Sequence, residues 1–106
     1  MFDALEMSHA VMEQLAVVEP KIRMRRKSLA DQIGRAAESV CLNLAEGRMR
    51  AGLDRADIFR RASGSAAELT TALRLCCSRR YITPAEYAAI DACLDRVRAM
   101  LWQLTH

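Results

Sequence analysis

Four places in this chain carry the sequence signal that begins a helix, and each precedes apolar residues at helical spacing. The signal is a side chain that accepts a hydrogen bond from the first turn, followed three residues later by an acid. It occurs at Asp3, Ser28, Asp54 and Thr83, and Pro84 strengthens the last one because proline fits the first helical position. The signals and the apolar spacing predict helices over about residues 3–19, 28–46, 54–80 and 83–104, with Pro20 ending the first.

The composition leaves little room for a different architecture. The 106 residues include four Gly and two Pro, too few for the many turns of a sandwich or barrel, and nothing has the alternation of a strand. The length is that of one domain, residues 1–106. Because the predicted links are short, we expect an all-α fold, an antiparallel up-down-up-down four-helix bundle.

Some apolar residues lie off the main helical stripes. On the second and third helices the main stripes include Leu29, Ile33, Val40 and Leu44, and Phe59, Ala62, Leu69 and Leu73. On the first helix the main predicted stripe is Leu5, Met12 and Ala16, and a second stripe runs beside it. A small monomeric bundle has no use for second apolar faces, so they predict a subunit interface. The predicted interface residues are Met7, Val11, Val18, Leu42 and Leu75.

The net charge of +3 conceals an uneven distribution. Residues 1–20 carry four acids and no base, whereas residues 21–80 carry fourteen bases and six acids. Fourteen of the sixteen bases are Arg, whose planar fork suits phosphate. A GC-rich coding sequence would give the same bias, and both explanations remain open.

The densest basic run is residues 21–27, with five bases and no acid. In an antiparallel bundle this link lies at the same end as the link between the last two helices. The predicted nucleic-acid contacts at the two ends are Lys21, Arg23, Arg25, Arg26, Lys27, Arg48, Arg50, Arg79 and Arg80. Phosphate backbones bind such surfaces, and since no aromatic residue interrupts the run, base stacking is not expected. The alternative is a solvated linker, with Arg79 and Arg80 complementing a helix C-terminus.

No pattern in the sequence is typical of an enzyme, a metal site or a cofactor site. Glu6 and His9 form one Glu-x-x-His, but a di-iron bundle needs two such motifs and two further Glu. The four cysteines lack zinc-site spacing and are interpreted as small apolar residues, with a redox role as the alternative. No apolar run reaches membrane-spanning length and no secretory signal is recognised, so a cytoplasmic protein without membrane contact is predicted.

The stretch from Ser39 to Gly47 reads Ser-Val-Cys-Leu-Asn-Leu-Ala-Glu-Gly. It resembles the Ser-Ile/Val-x-x-Asn-Ile/Leu-Ala-Glu-Gly motif of the bacterial four-helix-bundle proteins encoded in intervening sequences of 23S rRNA genes. Downstream, residues 64–69 resemble the family's Gly-Ser-x-x-Glu-Leu, and Arg80-Tyr81-Ile82 resembles its Gly-Tyr-Ile/Leu turn. The residues matching the two helical motifs are Ser39, Asn43, Glu46, Gly47, Gly64, Ser65 and Glu68.

The resemblance implies a homopentamer of four-helix bundles around a central channel. It also implies kinship with the accessory variability protein of diversity-generating retroelements, which binds nucleic acid and a reverse transcriptase through a basic surface. The intervening-sequence members have no established activity, so the resemblance supplies no catalytic residue.

The motif residues have a structural and a functional interpretation. In the structural one, Asn43 bonds to a neighbouring helix and fixes register, while Glu46 pairs with Arg50 or with an arginine of the third helix. In the functional one, Asn43 and Glu46 bind a ligand. Gly64 predicts the close approach of another helix backbone, with Glu68 accepting a hydrogen bond at the same contact.

Together these features predict a non-catalytic, oligomeric helical protein that binds RNA or DNA backbone through a basic surface. A role as accessory factor to an RNA or to a reverse transcriptase follows from the resemblance. The alternative is a scaffold or adaptor that contacts other proteins through its second apolar faces and has no nucleic-acid role.

Overall fold

A computed structural model describes residues 3–106 and contains four helices. They are α1 (Asp3–Arg25), α2 (Lys27–Gly47), α3 (Gly52–Ser78) and α4 (Pro84–Thr105). No strand occurs between residues 3 and 106, so the all-α prediction is confirmed for that part of the chain.

Each helix packs against two others around one core. α1 contacts α2 and α4, and α3 contacts the same two helices. Between α1 and α2, Ser8 contacts Cys41 near one end and Arg23 contacts Asp31 near the other. The core is aliphatic apart from Phe59 and Cys76, and the predicted apolar stripes of α2 and α3 are buried.

The core-facing side of α1 differs from the prediction. The buried residues alternate at spacings of four and three, and they are Ala4, Ser8, Val11, Leu15, Val18 and Ile22. Assigning Val11 and Val18 to a subunit interface was therefore wrong, because both side chains lie in the core. The buried face includes a serine and a small alanine, so the spacing of large apolar residues did not reveal it. The stripe predicted instead contains Ala16, which is exposed.

The buried hydroxyl of Ser8 is satisfied within the bundle. It donates to the carbonyl oxygen of Leu5 at 2.6 Å and accepts from the Cys41 thiol at 3.3 Å. A buried polar group without partners would be destabilising, so these two bonds explain how serine occupies a core position.

α1 continues through Pro20, and the predicted end at that residue is wrong. Proline removes one hydrogen bond, the one to the carbonyl oxygen of Ala16. Both residues lie on the exposed face, where water can satisfy that oxygen. Beyond the proline, Ile22 is 1% exposed and Lys21 bonds to Glu86 of α4 at 2.5 Å. These contacts hold the last turn in helical form.

The start of α4 has the predicted capping box. The Thr83 hydroxyl accepts from the Glu86 amide at 3.1 Å, and the Glu86 carboxylate accepts from the Thr83 amide at 2.8 Å. Pro84 occupies the first helical position, as expected.

The other two internal helix starts lack the predicted caps. The N-cap residues are Arg26 and Ala51, and neither makes a side-chain capping bond. The acids in these patterns serve as ion-pair partners instead, Asp31 for Arg23 and Asp54 for Arg50. Ser28 and Asp54 were therefore wrongly assigned as caps.

Candidate nucleic-acid interface

The end of α1, the start of α2, the end of α3 and the start of α4 meet at one end of the molecule. Lys21 of α1 bonds to Glu86 of α4, and the guanidinium carbon of Arg25 lies 5.3 Å from the ring centroid of Tyr81. We call this region, residues 21–29 and 75–86, the basic end. The structure thus brings the basic run of residues 21–27 together with Arg79 and Arg80, as predicted.

Three bases of the run are engaged by acids. Lys21 pairs with Glu86, while Arg23 pairs with Glu19 and with Asp31 at 2.9 Å. Lys27 also reaches Asp31, at 3.2 Å.

These pairs lower the pKa of two of the acids, Asp31 and Glu86. The hydrogen bond from Arg23, followed by that from Lys27, holds the pKa of Asp31 below its ordinary value. The pKa of Glu86 is lowered in the same way, first by the Lys21 bond and then by the Thr83 amide. The paired bases therefore fix helix ends to one another and contribute less free charge.

Four arginines of the basic end are not paired with an acid. Arg25, Arg26, Arg79 and Arg80 are exposed, and within residues 3–106 none of them pairs with an acid. Arg25 lies over the face of Tyr81, a cation–π contact that orders both side chains. The guanidinium groups are therefore available to an external anion.

Arg80 has a left-handed backbone, with φ of 63°. Its amide donates to the carbonyl oxygen of Cys77 at 3.0 Å, and the Tyr81 amide donates to that of Cys76 at 2.8 Å. This is the Schellman arrangement that ends many helices, usually with glycine at the left-handed position. Arg80 stands where the related motif has Gly.

The opposite end of the bundle offers less free charge. Arg50 is held between two acids, Asp54 at 2.8 Å and Glu46 at 3.1 Å. The predicted pairing of Glu46 with Arg50 is thereby confirmed. Arg48, the other predicted contact at this end, is exposed.

The motif residues on α2 and α3 form a small polar contact. The hydroxyl groups of Ser39 and Ser65 lie 2.7 Å apart and join the two helices. The Asn43 amide donates to the Ser39 carbonyl oxygen at 2.8 Å and to its hydroxyl at 3.1 Å. Asn43 therefore bonds within its own helix, contrary to the prediction, and it is Ser39 that reaches the neighbour.

Close packing involves a different glycine from the one predicted. A Cβ atom on Gly47 would lie 2.5 Å from Phe59 Cε1, whereas nothing lies within 4 Å of a Cβ placed on Gly64. The prediction that Gly64 admits another helix backbone is wrong for the isolated chain. Glu68 does accept a bond from α2, through Gln32 at 3.4 Å.

Of the predicted interface residues, two are prominently exposed. Leu42 is 69% exposed and Leu75 is 49% exposed, while Met7 is half-buried against the core. Further large apolar side chains that are exposed are Val17, Met24, Met49, Leu53 and Trp102.

Residues 3–106 contain neither a cluster of metal ligands nor a helix suited to cross a membrane. No group of three His, Cys, Asp or Glu side chains there is arranged to hold a metal ion. None of the four helices combines the length and apolar character that crossing a membrane requires.

The structure adds a feature that the sequence interpretation missed. A hollow of about 230 Å³ lies between the start of α2 and the end of α3. The residues lining it are Arg26, Ser28, Leu29, Gln32, Leu75, Arg79 and Tyr81. Tyr81 follows Arg79 and Arg80 directly in the sequence, and that adjacency was the available signal that an aromatic ring accompanies the basic cluster.

Comparisons with known proteins agree with this fold. The structure is similar to the crystal structure of a protein with unknown function from the S23 ribosomal protein family of Bacteroides thetaiotaomicron. The TM-score is 0.86 at 18% identity, over 96% of this chain and 97% of that one. Curated proteins give no match. The model of the 23S rRNA-intervening sequence protein family matches residues 2–103. The chain therefore belongs to the 23S rRNA-intervening sequence protein family.

Proposed function

We propose that this protein is a non-catalytic nucleic-acid-binding protein whose basic end contacts the phosphate backbone of RNA or DNA. One observation carries the proposal: the basic end holds four exposed arginines, Arg25, Arg26, Arg79 and Arg80, without an acidic partner within the described chain. An uncompensated cluster of this kind repels itself, and a phosphate backbone relieves that repulsion.

The ion pairs beside the cluster support this role. Lys21 with Glu86 and Arg23 with Asp31 join α1 to α4 and α2, so the free arginines extend from connected helix ends. Positions fixed in this way lower the entropic cost of ordering the surface on binding.

We further propose that the chain is an up-down-up-down bundle that assembles as a homopentamer. The resemblance suggests this state, and two observations support an interface on α2 and α3. Leu42 of α2 is exposed, and the surface at Gly64 of α3 is open for another subunit. In a cyclic pentamer the five basic ends would form a ring of positive charge. The resemblance makes a reverse transcriptase the protein partner to test.

The test is binding of generic RNA and of duplex DNA at increasing salt, measured by fluorescence anisotropy. If the four arginines each neutralise one phosphate, the logarithmic salt dependence has a slope of about −3 to −4 per protomer on duplex DNA. The double variant Arg26→Gln/Arg79→Gln should reduce that slope by about half. The matched control is Arg60→Gln/Arg96→Gln, which removes two exposed arginines elsewhere, and should change it little. Absence of binding even at low salt would refute the proposal.

The second candidate function is a protein scaffold, and the exposed Leu42 and Leu75 favour it. A scaffold would bind no nucleic acid, and its apolar contacts would hold at high salt. Light scattering of the purified chain tests the oligomeric state: a monomer would contradict the pentamer and leave the exposure of Leu42 without that explanation.

A further inference from the structure

The hollow at the basic end has two chemically different sides. Its apolar surface comes from Leu29, Leu75 and the ring of Tyr81, and its charged surface comes from Arg26 and Arg79. Ser28 and Gln32 add a hydroxyl and an amide, which can both donate and accept hydrogen bonds.

The size of the hollow suits a flat ring. A cavity of about 150 Å³ accommodates benzene, so a hollow of about 230 Å³ accommodates a larger planar group. Such a group would lie against the apolar surface and present its polar edge to Ser28 and Gln32. An anion attached to the same group would lie between the two guanidinium groups, which have no acidic partner within residues 3–106.

We propose that this hollow binds one unpaired nucleotide of a single-stranded nucleic acid, an inference that rests on the proposed function. The base lies against Leu29, Leu75 and Tyr81, and its phosphate contacts Arg26 and Arg79. The proposal adds a preference to backbone binding: the protein favours a strand with an exposed base over a perfect duplex.

The chemistry of the hollow disfavours the other occupants. A phosphate ion alone would contact the arginines but not the apolar side of the hollow. Bases of a duplex are stacked and paired, so their faces are unavailable to Leu75 and Tyr81. An apolar peptide side chain would fill the space but leave two cations without a counter-charge.

The first experiment compares two oligonucleotides of equal charge. One is a short oligothymidylate, and the other has the same backbone but lacks all its bases. The intact strand should bind about tenfold more tightly, because contact of one base with such a surface is worth that much or more. Equal affinities would overturn the inference.

The second experiment assigns the difference to the hollow. Leu75 is half exposed, so Leu75→Asn should fold, which circular dichroism verifies, and it alters no charge. It should remove most of the preference for the intact strand. The control Leu53→Asn replaces an exposed leucine outside the hollow and should keep that preference. A preference unchanged in Leu75→Asn would also overturn the inference.

The outcomes separate this inference from the function beneath it. If both oligonucleotides bind equally and binding still depends on Arg26 and Arg79, the backbone proposal stands and the hollow has no base. If neither strand binds at low salt, both fail. If an acidic peptide binds and loses affinity in Leu75→Asn while the two strands remain equal, the hollow belongs to a protein partner.

Discussion

The left-handed backbone of Arg80 should destabilise the protein, and replacing Arg80 with glycine should measure by how much. At φ of 63° an L-residue is strained by about 1–2 kcal/mol, whereas glycine is not. Glycine also makes the unfolded chain more flexible, which costs about 0.5–1 kcal/mol. The net expectation for Arg80→Gly is therefore a stabilisation of about 0.5–1 kcal/mol.

The neighbouring residue provides the control. Arg79 is also an exposed arginine, but its backbone at φ −84° and ψ 0° is accessible to any residue. Arg79→Gly removes the same charge from the same helix end without relieving strain, so it should destabilise the fold by about 0.5–1 kcal/mol. The comparison cancels the effect of reduced repulsion within the basic end.

The measurement is thermal and urea unfolding followed by circular dichroism at one chain concentration, because assembly makes the midpoint concentration-dependent. For a chain of this size, 1 kcal/mol corresponds to about 4–8 °C. Arg80→Gly should melt above the parent chain and Arg79→Gly below it, while both lose nucleic-acid affinity. If Arg80→Gly were no more stable than Arg79→Gly, the strain argument would be wrong.

The remaining predictions concern packing, capping and pH. Gly47→Ala should destabilise the fold by about 1–3 kcal/mol, since its Cβ would lie 2.5 Å from the buried Phe59 ring. Gly64→Ala should stabilise the isolated chain by about 1 kcal/mol, because nothing lies near its Cβ position. Equal stabilities of the two variants in urea titrations would contradict this contrast. Loss of the capping bond in Thr83→Ala should cost about 1 kcal/mol, with Thr83→Ser as the conservative control. Because the fold lowers the pKa of Glu86 from 4.5, its stabilisation is present above that pH and is lost as pH falls through the lower folded value. Unfolding measured across this range should show the loss, and a Glu86→Gln variant with the same acid dependence would argue against this carboxylate as the cause.

The sequence predicted the helices well because their apolar rows are long and regular. Leu29, Ile33, Val40 and Leu44 of α2 are all buried, as their spacing required. The prediction was wrong where tertiary contacts outweigh local preference. Local rules end α1 at Pro20, but the burial of Ile22 keeps the helix intact beyond it.

The site was predicted less completely, because pairing between charges depends on distances that spacing does not give. The run at residues 21–27 indicated a basic end, yet the sequence did not distinguish Arg23, which is paired, from Arg26, which is not. The same limit applies to Asp31 and Asp54. Each resembles part of a capping box in sequence and forms an ion pair in the structure.

Pro20 has a mechanical consequence for the surface beyond it. The proline removes one backbone hydrogen bond of α1, so the turn carrying Arg25 is coupled less firmly to the preceding turns. The orientation of this turn depends instead on the burial of Ile22 in the core and on the ion pair between Lys21 and Glu86. The spacing of charges presented to a ligand is therefore set by interior packing. A substitution in the core can therefore change the spacing of these surface charges without altering any residue of the surface itself.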